Sequence, residues 1–411
     1  MIQPIAPVNT GMEAKVIHSD VDTVSRPYTA VHGPYHLPVR RVFITETPDV
    51  GAVPGRRLAV KDLFDTAGVR TTYGSAIFAE HVPTVTAAAV VAAQDAGYVS
   101  VGKANLHEFA WGITSDTPHF GAVPNPLAPD RIAGGSSGGC AAALAAGLAD
   151  VALGTDSGGS IRIPSACCGT TGFKPTHGLV PLDGCWPLAP SWDHAGPMAR
   201  DVAGCEALLA ALVPGYRPVA DVALADVRAA VAWTGHADPL VRARVEDVAR
   251  LLGAQPLELP FPDDAYDLFA GEAAAVHREL FAAHADRYSE NVAAKVRRAL
   301  SVTPEAMAAD AARRERYRER TAALLAPYDV LLTPTMAMVA PPAAAGEAPI
   351  RARALSLTYP FNATGAPALA LPCGTAEHGL PASAQLVGAP GTDALVLAVG
   401  RAVEAALRTG R

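Results

Sequence analysis

Long apolar runs are missing from this chain. No stretch of roughly 18 consecutive apolar residues occurs, which excludes a helix that crosses a membrane. The opening residues, MIQPIAPVNTGMEAK, lack a basic segment followed by an apolar one, so no secretory leader is expected. The six cysteines (Cys140, Cys167, Cys168, Cys185, Cys205, Cys373) show no CxxC spacing. Neither a zinc site nor a disulfide framework follows; free, mostly buried thiols in a cytoplasmic protein fit better. Basic excess is also absent. The formal net charge of −7 argues against a nucleic-acid partner, which needs a basic patch or domain. The one arginine-dense run, Arg313 to Arg318, alternates with Glu315 and Glu319 and reads as a solvated helix face. His107-Glu108 does not start an HExxH metal motif, because Trp111 stands where the second histidine would be. No metal or other cofactor is called for.

Lysine is scarce. Only Lys15, Lys61, Lys103, Lys174 and Lys295 accompany 28 arginines. Arginine supplies a permanent charge; lysine can lose its proton when buried. Each retained lysine is therefore a candidate for work that needs a neutral amine.

What the chain does have is half hydrophobic composition, ample for a large core. Short apolar runs alternate with helix-length segments. Leu58 to Lys61, "YVSVGKAN", "DVALGTD", "PYDVLLTPT" and the pair "PALALPCG" and "ASAQLVG" read as strands. Thr84 to Ala96, Gly138 to Leu148, much of Asp238 to Leu325, and "DALVLAVGRAVEAALR" read as helices. This alternation predicts an α/β sheet protein. Residues 1–55 are proline-rich and weakly patterned, and are expected to pack as an extension on the body.

Two serine-glycine loops punctuate the pattern: "AGGSSGG" (Ala133 to Gly139) and "DSGGS" (Asp156 to Ser160). Glycine leaves successive backbone N–H groups free to converge on an anion or a developing oxyanion. Neither loop carries the lysine of a phosphate-binding P-loop. Gly134-Gly135-Ser136-Ser137-Gly138 does match the G-x-S-x-G elbow of α/β-hydrolase esterases, with Ser136 as nucleophile. That reading requires a strand entering the elbow and a late histidine; a proline-rich segment enters it, and His378 lies in a turn-like stretch. Two tight structural turns are the plain alternative.

The segments "KDLFDTAG", "GGSSGG" and "GTDSGGSIRIPSACCGTTGFKPTHG" together resemble the amidase signature family of serine hydrolases. "VGKANLHEFAWG", "SWDHAGPMARDV", "PYDVLLTPT", "PFNATGAPALALPCG" and "GLPASAQLVG" extend the resemblance, in family order, from about Val42 to Arg408. It implies a large mixed β-sheet flanked by helices on both faces, as one domain over 56–411 with a variable helical insert over 206–326. It implies a Ser-cisSer-Lys triad and an acyl-enzyme: Ser160 as nucleophile, Lys61 as base, and Ser136 as the bridging serine behind a cis Gly135–Ser136 peptide. The N–H groups of Ser157, Gly158, Gly159 and Ser160 would form the oxyanion hole. Ser137, Asp156 and Arg162 would support the loops. A serine hydroxyl is a poor nucleophile until a base takes its proton, and lysine is that base only when desolvated and neutral.

By this resemblance the chain is a stand-alone amidase that releases ammonia or an amine from a small-molecule amide. The alternatives are the glutaminase subunit of an aminoacyl-tRNA amidotransferase and a biosynthetic acyl transferase using the same acyl-enzyme. "SIRIP" stands where that glutaminase is expected to show "SIRQP". A homodimer is an assembly seen in some members. Cys140 departs from a frequent serine, and the middle of the chain is short for the family. Trp111, Phe120, Trp192, Tyr359 and Phe361 are candidates for an apolar pocket wall, which would suit a neutral amide.

Overall fold

Leu58, Val60, Val151 and Leu153 pack into one buried cluster, while Ala59 and Ala152, their neighbours in sequence, pack into another. Alternate residues of a strand point to opposite faces, so both faces of this sheet are covered. Large side chains fill one side. The other is lined with alanine, and the helix Gly138–Ala145 lies close against it; seven of its residues, Gly138 to Leu144, are buried.

The computed structural model describes residues 39–47, 55–262 and 266–409. Within them, eleven strands form one sheet. In chain order they are β1 (Phe43–Glu46), β2 (Arg57–Lys61), β3 (Val99–Ala104), β4 (Val151–Thr155), β5 (Thr171–Lys174), β6 (Ala195–Ala199), β7 (Ala229–Val231), β8 (Gln255–Pro256), β9 (Val330–Pro334), β10 (Ala368–Thr375) and β11 (Pro381–Val387). Their spatial order is β1-β3-β2-β4-β6-β5-β10-β11-β9-β7-β8. The sheet is mixed: β2 runs parallel to β3 and β4, and β7 to β8 and β9, while the remaining pairs are antiparallel. The expected extension over 1–55 falls mostly outside the described residues; its part at Phe43–Glu46 is the edge strand β1. The middle segment is largely helical, with Pro239–Leu251, Tyr266–His284, Glu290–Ala299 and Pro304–Leu325, but it also contributes β7 and β8 to the sheet.

Two features of this topology place the site. Strands β2 and β4 are adjacent and parallel, with Val60 opposite Leu153, so their carboxyl ends emerge side by side. Ligand sites of α/β sheets gather at such ends. The helix Arg162–Cys168 then starts just after "DSGGS", and it tolerates Pro164 because a proline in the first turn forfeits no helical hydrogen bond. Gly169 ends it in the left-handed conformation at φ 65°.

Candidate active site

Lys61 is the last residue of β2 and Thr155 the last of β4. Lys61 is fully buried. Its Nζ donates to Ser136 Oγ at 2.7 Å and to Thr155 Oγ1 at 2.7 Å. Burial pushes its pKa down to about 8; the carboxylates of Asp156 and Asp193 pull only weakly the other way. Cys140 adds no charge here, because burial pushes its thiol up to about 12.

The Gly135–Ser136 peptide is cis. The Ser136 carbonyl accepts from the His107 N–H at 3.1 Å and from Ser115 Oγ at 3.1 Å, and Ser115 Oγ accepts in turn from the Gly138 N–H at 3.0 Å. There is no room for a side chain at Gly135: a Cβ would fall 2.9 Å from the backbone of Ile113 and Ser115. The two serine loops touch directly. The Ser137 N–H donates to the Ser160 carbonyl at 3.2 Å, and Ser137 Oγ donates to the Thr155 carbonyl at 3.2 Å. The segment entering Ser136 is a loop and not a strand, and Ser136 Oγ pairs with a lysine, so the geometry of an esterase elbow is not present.

Asp156 and Arg162 fix the "DSGGS" loop from below, both fully buried. Asp156 Oδ1 accepts from the Gly159 N–H at 2.7 Å, and Oδ2 from the Ile161 N–H at 3.2 Å. Arg162 donates to both carboxylate oxygens, at 2.8 and 2.9 Å. Its other donors reach the Thr358 carbonyl, Gln385 Oε1 and Asn362 Oδ1. All five N–H donors of the guanidinium are thereby used. Burial alone would raise the Asp156 carboxyl; the Arg162 charge outweighs it and holds the pKa well below the usual carboxylate range.

Among the residues expected to supply oxyanion-hole N–H groups, Gly159 stands apart. Its N–H is spent on Asp156, because that carboxylate needs donors in a buried setting. Ser157, Gly158 and Ser160 line the adjoining cavity; Gly159 does not.

That cavity has a volume of about 710 Å³, a size suited to a small-molecule ligand. Trp111 and Tyr359 line it, as expected. Phe120, Trp192 and Phe361 do not. Phe361 packs against Trp233 at 5.5 Å between ring centroids, Trp192 lies behind the wall stacked on Tyr359 at 4.8 Å, and Phe120 lies beside His119. Phe261, Tyr266 and Phe269 take their places, together with Lys295, Arg298 and Arg351. A second cavity of about 280 Å³ adjoins Ser157 on the side of Thr155, Cys185 and Asp193. Asp193 accepts from Ser157 Oγ at 2.5 Å, and burial raises its pKa to about 6.

Sequence reasoning misses Thr155, Ser115 and Asp193. Thr155 stands inside "GTDSGGS" and Asp193 inside "SWDHAGP", so position within a matching segment is the available signal. The other buried lysines have structural partners. Lys103 reaches Thr71 Oγ1 at 2.7 Å and the Phe64 carbonyl, and Lys174 the Ala366 carbonyl at 2.5 Å. His194 is held by the Trp192 carbonyl at 2.7 Å. All six cysteines are unpaired. Among the described residues there is no cluster fit to hold a metal ion, and no helix is long and apolar enough to cross a membrane.

The Amidase family model matches residues 47–231 and 241–397. A glutamyl-tRNA(Gln) amidotransferase subunit of Haloarcula marismortui is 51% identical over 164 residues, covering 40% of this chain but only 39% of that protein. AtzE, a subunit of the 1-carboxybiuret hydrolase of Pseudomonas sp. (strain ADP), is 33% identical over 412 residues, covering 90% of this chain and 87% of the relative. A crystal structure of an amidase superposes with a TM-score of 0.78 at 36% identity, over 85% of this chain and 84% of that one.

Proposed function

Because this chain belongs to the Amidase family, the amidase signature hydrolases that act on amide C–N bonds, we propose that it hydrolyses a small-molecule amide through Ser160, Ser136 and Lys61. The observation that carries this reading is a fully buried lysine whose hydrogen-bond partners, among the described residues, are the two hydroxyls of Ser136 and Thr155, at 2.7 Å each. A buried amine with a pKa near 8 is partly neutral at physiological pH and able to accept a proton.

The steps follow from that arrangement. Neutral Lys61 draws a proton from Ser136 as Ser136 Oγ takes the proton of Ser160. Ser160 Oγ attacks the amide carbon, and the carbonyl oxygen gains negative charge. Ser157, Gly158 and Ser160 are the residues of this loop that line the cavity, and their N–H groups stabilise that charge. The proton returns through Ser136 to the departing nitrogen, leaving an acyl-enzyme that water hydrolyses. Asp156 and Arg162 hold the loop in shape and take no part in proton transfer.

Incubation with a fluorophosphonate probe followed by peptide mapping tests the assignment. Label on Ser160, lost in Ser160→Ala together with amide turnover, is the expected result; label on Ser136 contradicts it. A second reading, a glutaminase component of an aminoacyl-tRNA amidotransferase, draws support from the 51% identity to the Haloarcula protein. Glutamine turnover that appears only with added partner subunits would favour it over stand-alone hydrolysis.

A further inference from the structure

Ser157 borders both cavities. Its N–H makes no hydrogen bond among the described residues and is free to meet a substrate oxygen. Such a donor stabilises an oxyanion only if it is held in place beforehand. The two glycines that follow leave the loop conformationally permissive, so its shape has to come from outside partners.

The peptide that carries the Ser157 N–H is fixed at one end. The Asp156 carbonyl accepts from the His194 N–H at 3.2 Å and from Asn362 Nδ2 at 2.9 Å. Further along, the Gly158 carbonyl accepts from Thr358 Oγ1 at 2.7 Å. Between these points no hydrogen bond reaches the Ser157 carbonyl among the described residues. Residue 157 is tied down through its side chain: Ser157 Oγ donates to Asp193 Oδ1 at 2.5 Å.

Asp193 is itself rigidly held. It is buried, and its Oδ2 accepts from the N–H groups of Leu188 at 2.8 Å and Ala189 at 3.1 Å. With a pKa of about 6 it is largely ionised at pH 7. An ionised carboxylate only accepts, so the Ser157 hydroxyl must donate to it and its orientation is set. Two positions back, Ser191 is clamped by the helical middle segment. Glu272 of the helix Tyr266–His284 accepts from the Ser191 N–H at 2.9 Å and from its hydroxyl at 2.5 Å. Arg314 of the helix Pro304–Leu325 donates to Ser191 Oγ and to its carbonyl, both at 2.7 Å.

We propose that Asp193 is a positioning residue for amide hydrolysis: through Ser157 Oγ it aims the Ser157 N–H at the oxyanion, and the helical segment braces it from behind. Asp193 touches no reacting atom. A donor group keeps its geometry only when the side chains behind it are locked in turn, and this chain of contacts supplies that lock. The inference rests on the amidase reading above.

The test begins with Ser157→Ala, which removes the link and leaves Asp193 its backbone donors. The kcat per Ser160 site titrated with the fluorophosphonate probe is expected to fall about ten- to a hundredfold, as loss of a hydrogen bond to a charged group allows. KM is expected to stay near the wild-type value. Ser157→Thr restores the hydroxyl and is expected to recover most of kcat. Asp193→Asn is expected to lose at least as much as Ser157→Ala, and combining the two to add little, because they act as one unit. Where Asp193→Asn does not fold, the Ala and Thr variants of Ser157 decide alone. Wild-type kcat in Ser157→Ala, no recovery in Ser157→Thr, or losses that add in the double variant overturn the proposal. The rate of phosphonylation at Ser160 gives a readout without any amide. Equal slowing in Ser157→Ala and Asp193→Asn upholds the proposal even if no amide is turned over, and unchanged rates overturn it even if amides are hydrolysed. Absence of label on Ser160 in the wild type overturns the amidase reading, and this inference with it.

Discussion

Lys61 Nζ lies 2.7 Å from Ser136 Oγ and also 2.7 Å from Thr155 Oγ1, with no carboxylate among its hydrogen-bond partners in the described residues. A lysine held by two neutral hydroxyls in a dry site keeps little reason to stay charged. Lys295, whose pKa burial likewise lowers to about 8, differs in its partner, because it donates to the Glu347 carboxylate.

Activity should follow the neutral form of Lys61. Its pKa of about 8 lies below the ordinary lysine value, so kcat/KM rises with pH and levels off above about 8. A pH–rate profile of the free enzyme checks this; a rate that is flat from pH 6 to 9 contradicts it. Lys61→Arg should be as inactive as Lys61→Ala, with losses of at least about 10²–10⁴, because arginine cannot surrender its proton.

Thr155→Val should lower kcat and move the rising limb of the profile to lower pH. The hydroxyl oxygen accepts from the lysine and favours its charged form. Valine keeps the branched shape without the acceptor, while Thr155→Ser should restore the wild-type limb. A limb shifted to higher pH in Thr155→Val would refute this account.

Asp156→Asn should destabilise the protein by about 3–5 kcal/mol, since Arg162 would be left as an uncompensated buried charge. Denaturant unfolding at pH 7 gives the number. The Asp156 pKa is lowered in the folded state. Its contribution is therefore full above the unfolded value of about 4 and fades as pH falls through the folded value. The mutant and wild type should converge in strong acid.

Gly139→Ala should fold poorly, whereas Gly158→Ala should fold normally. A Cβ at position 139 would fall 2.4 Å from the Asn105 carbonyl oxygen and 2.7 Å from that of Val42, both backbone atoms. Overpacking of this kind costs about 1–3 kcal/mol or more. At position 158 the nearest atoms belong to Leu355 and Tyr359, at 3.5 and 3.6 Å, an ordinary contact. Thermal midpoints of the two variants decide the matter.

The sequence by itself determined the strands that have regular apolar patterning and the candidate site residues that stand out by type and local spacing. β2, β3, β4 and the β10–β11 pair are legible in runs such as "VALGT" and "ALALPCGT". The loops carrying Ser136 and Ser160, and the unusual retention of Lys61, are legible because glycine, serine and scarce lysine stand out as residue types. Strand β6 is not legible: "AGPMA" contains a glycine and a proline, and only the neighbours β4 and β5 make it a strand. What tertiary structure alone decided is which side chains share a space. Phe361 and Trp192 look no different in sequence from Tyr359, yet packing against Trp233 and stacking behind the wall remove them from the cavity. Arg298 and Arg351 look like two more surface arginines in an arginine-rich chain. They lie 53 positions apart in sequence, and only the packing of their two helices brings both to the cavity of the serine loop, because burial and proximity are properties of packing and not of local pattern.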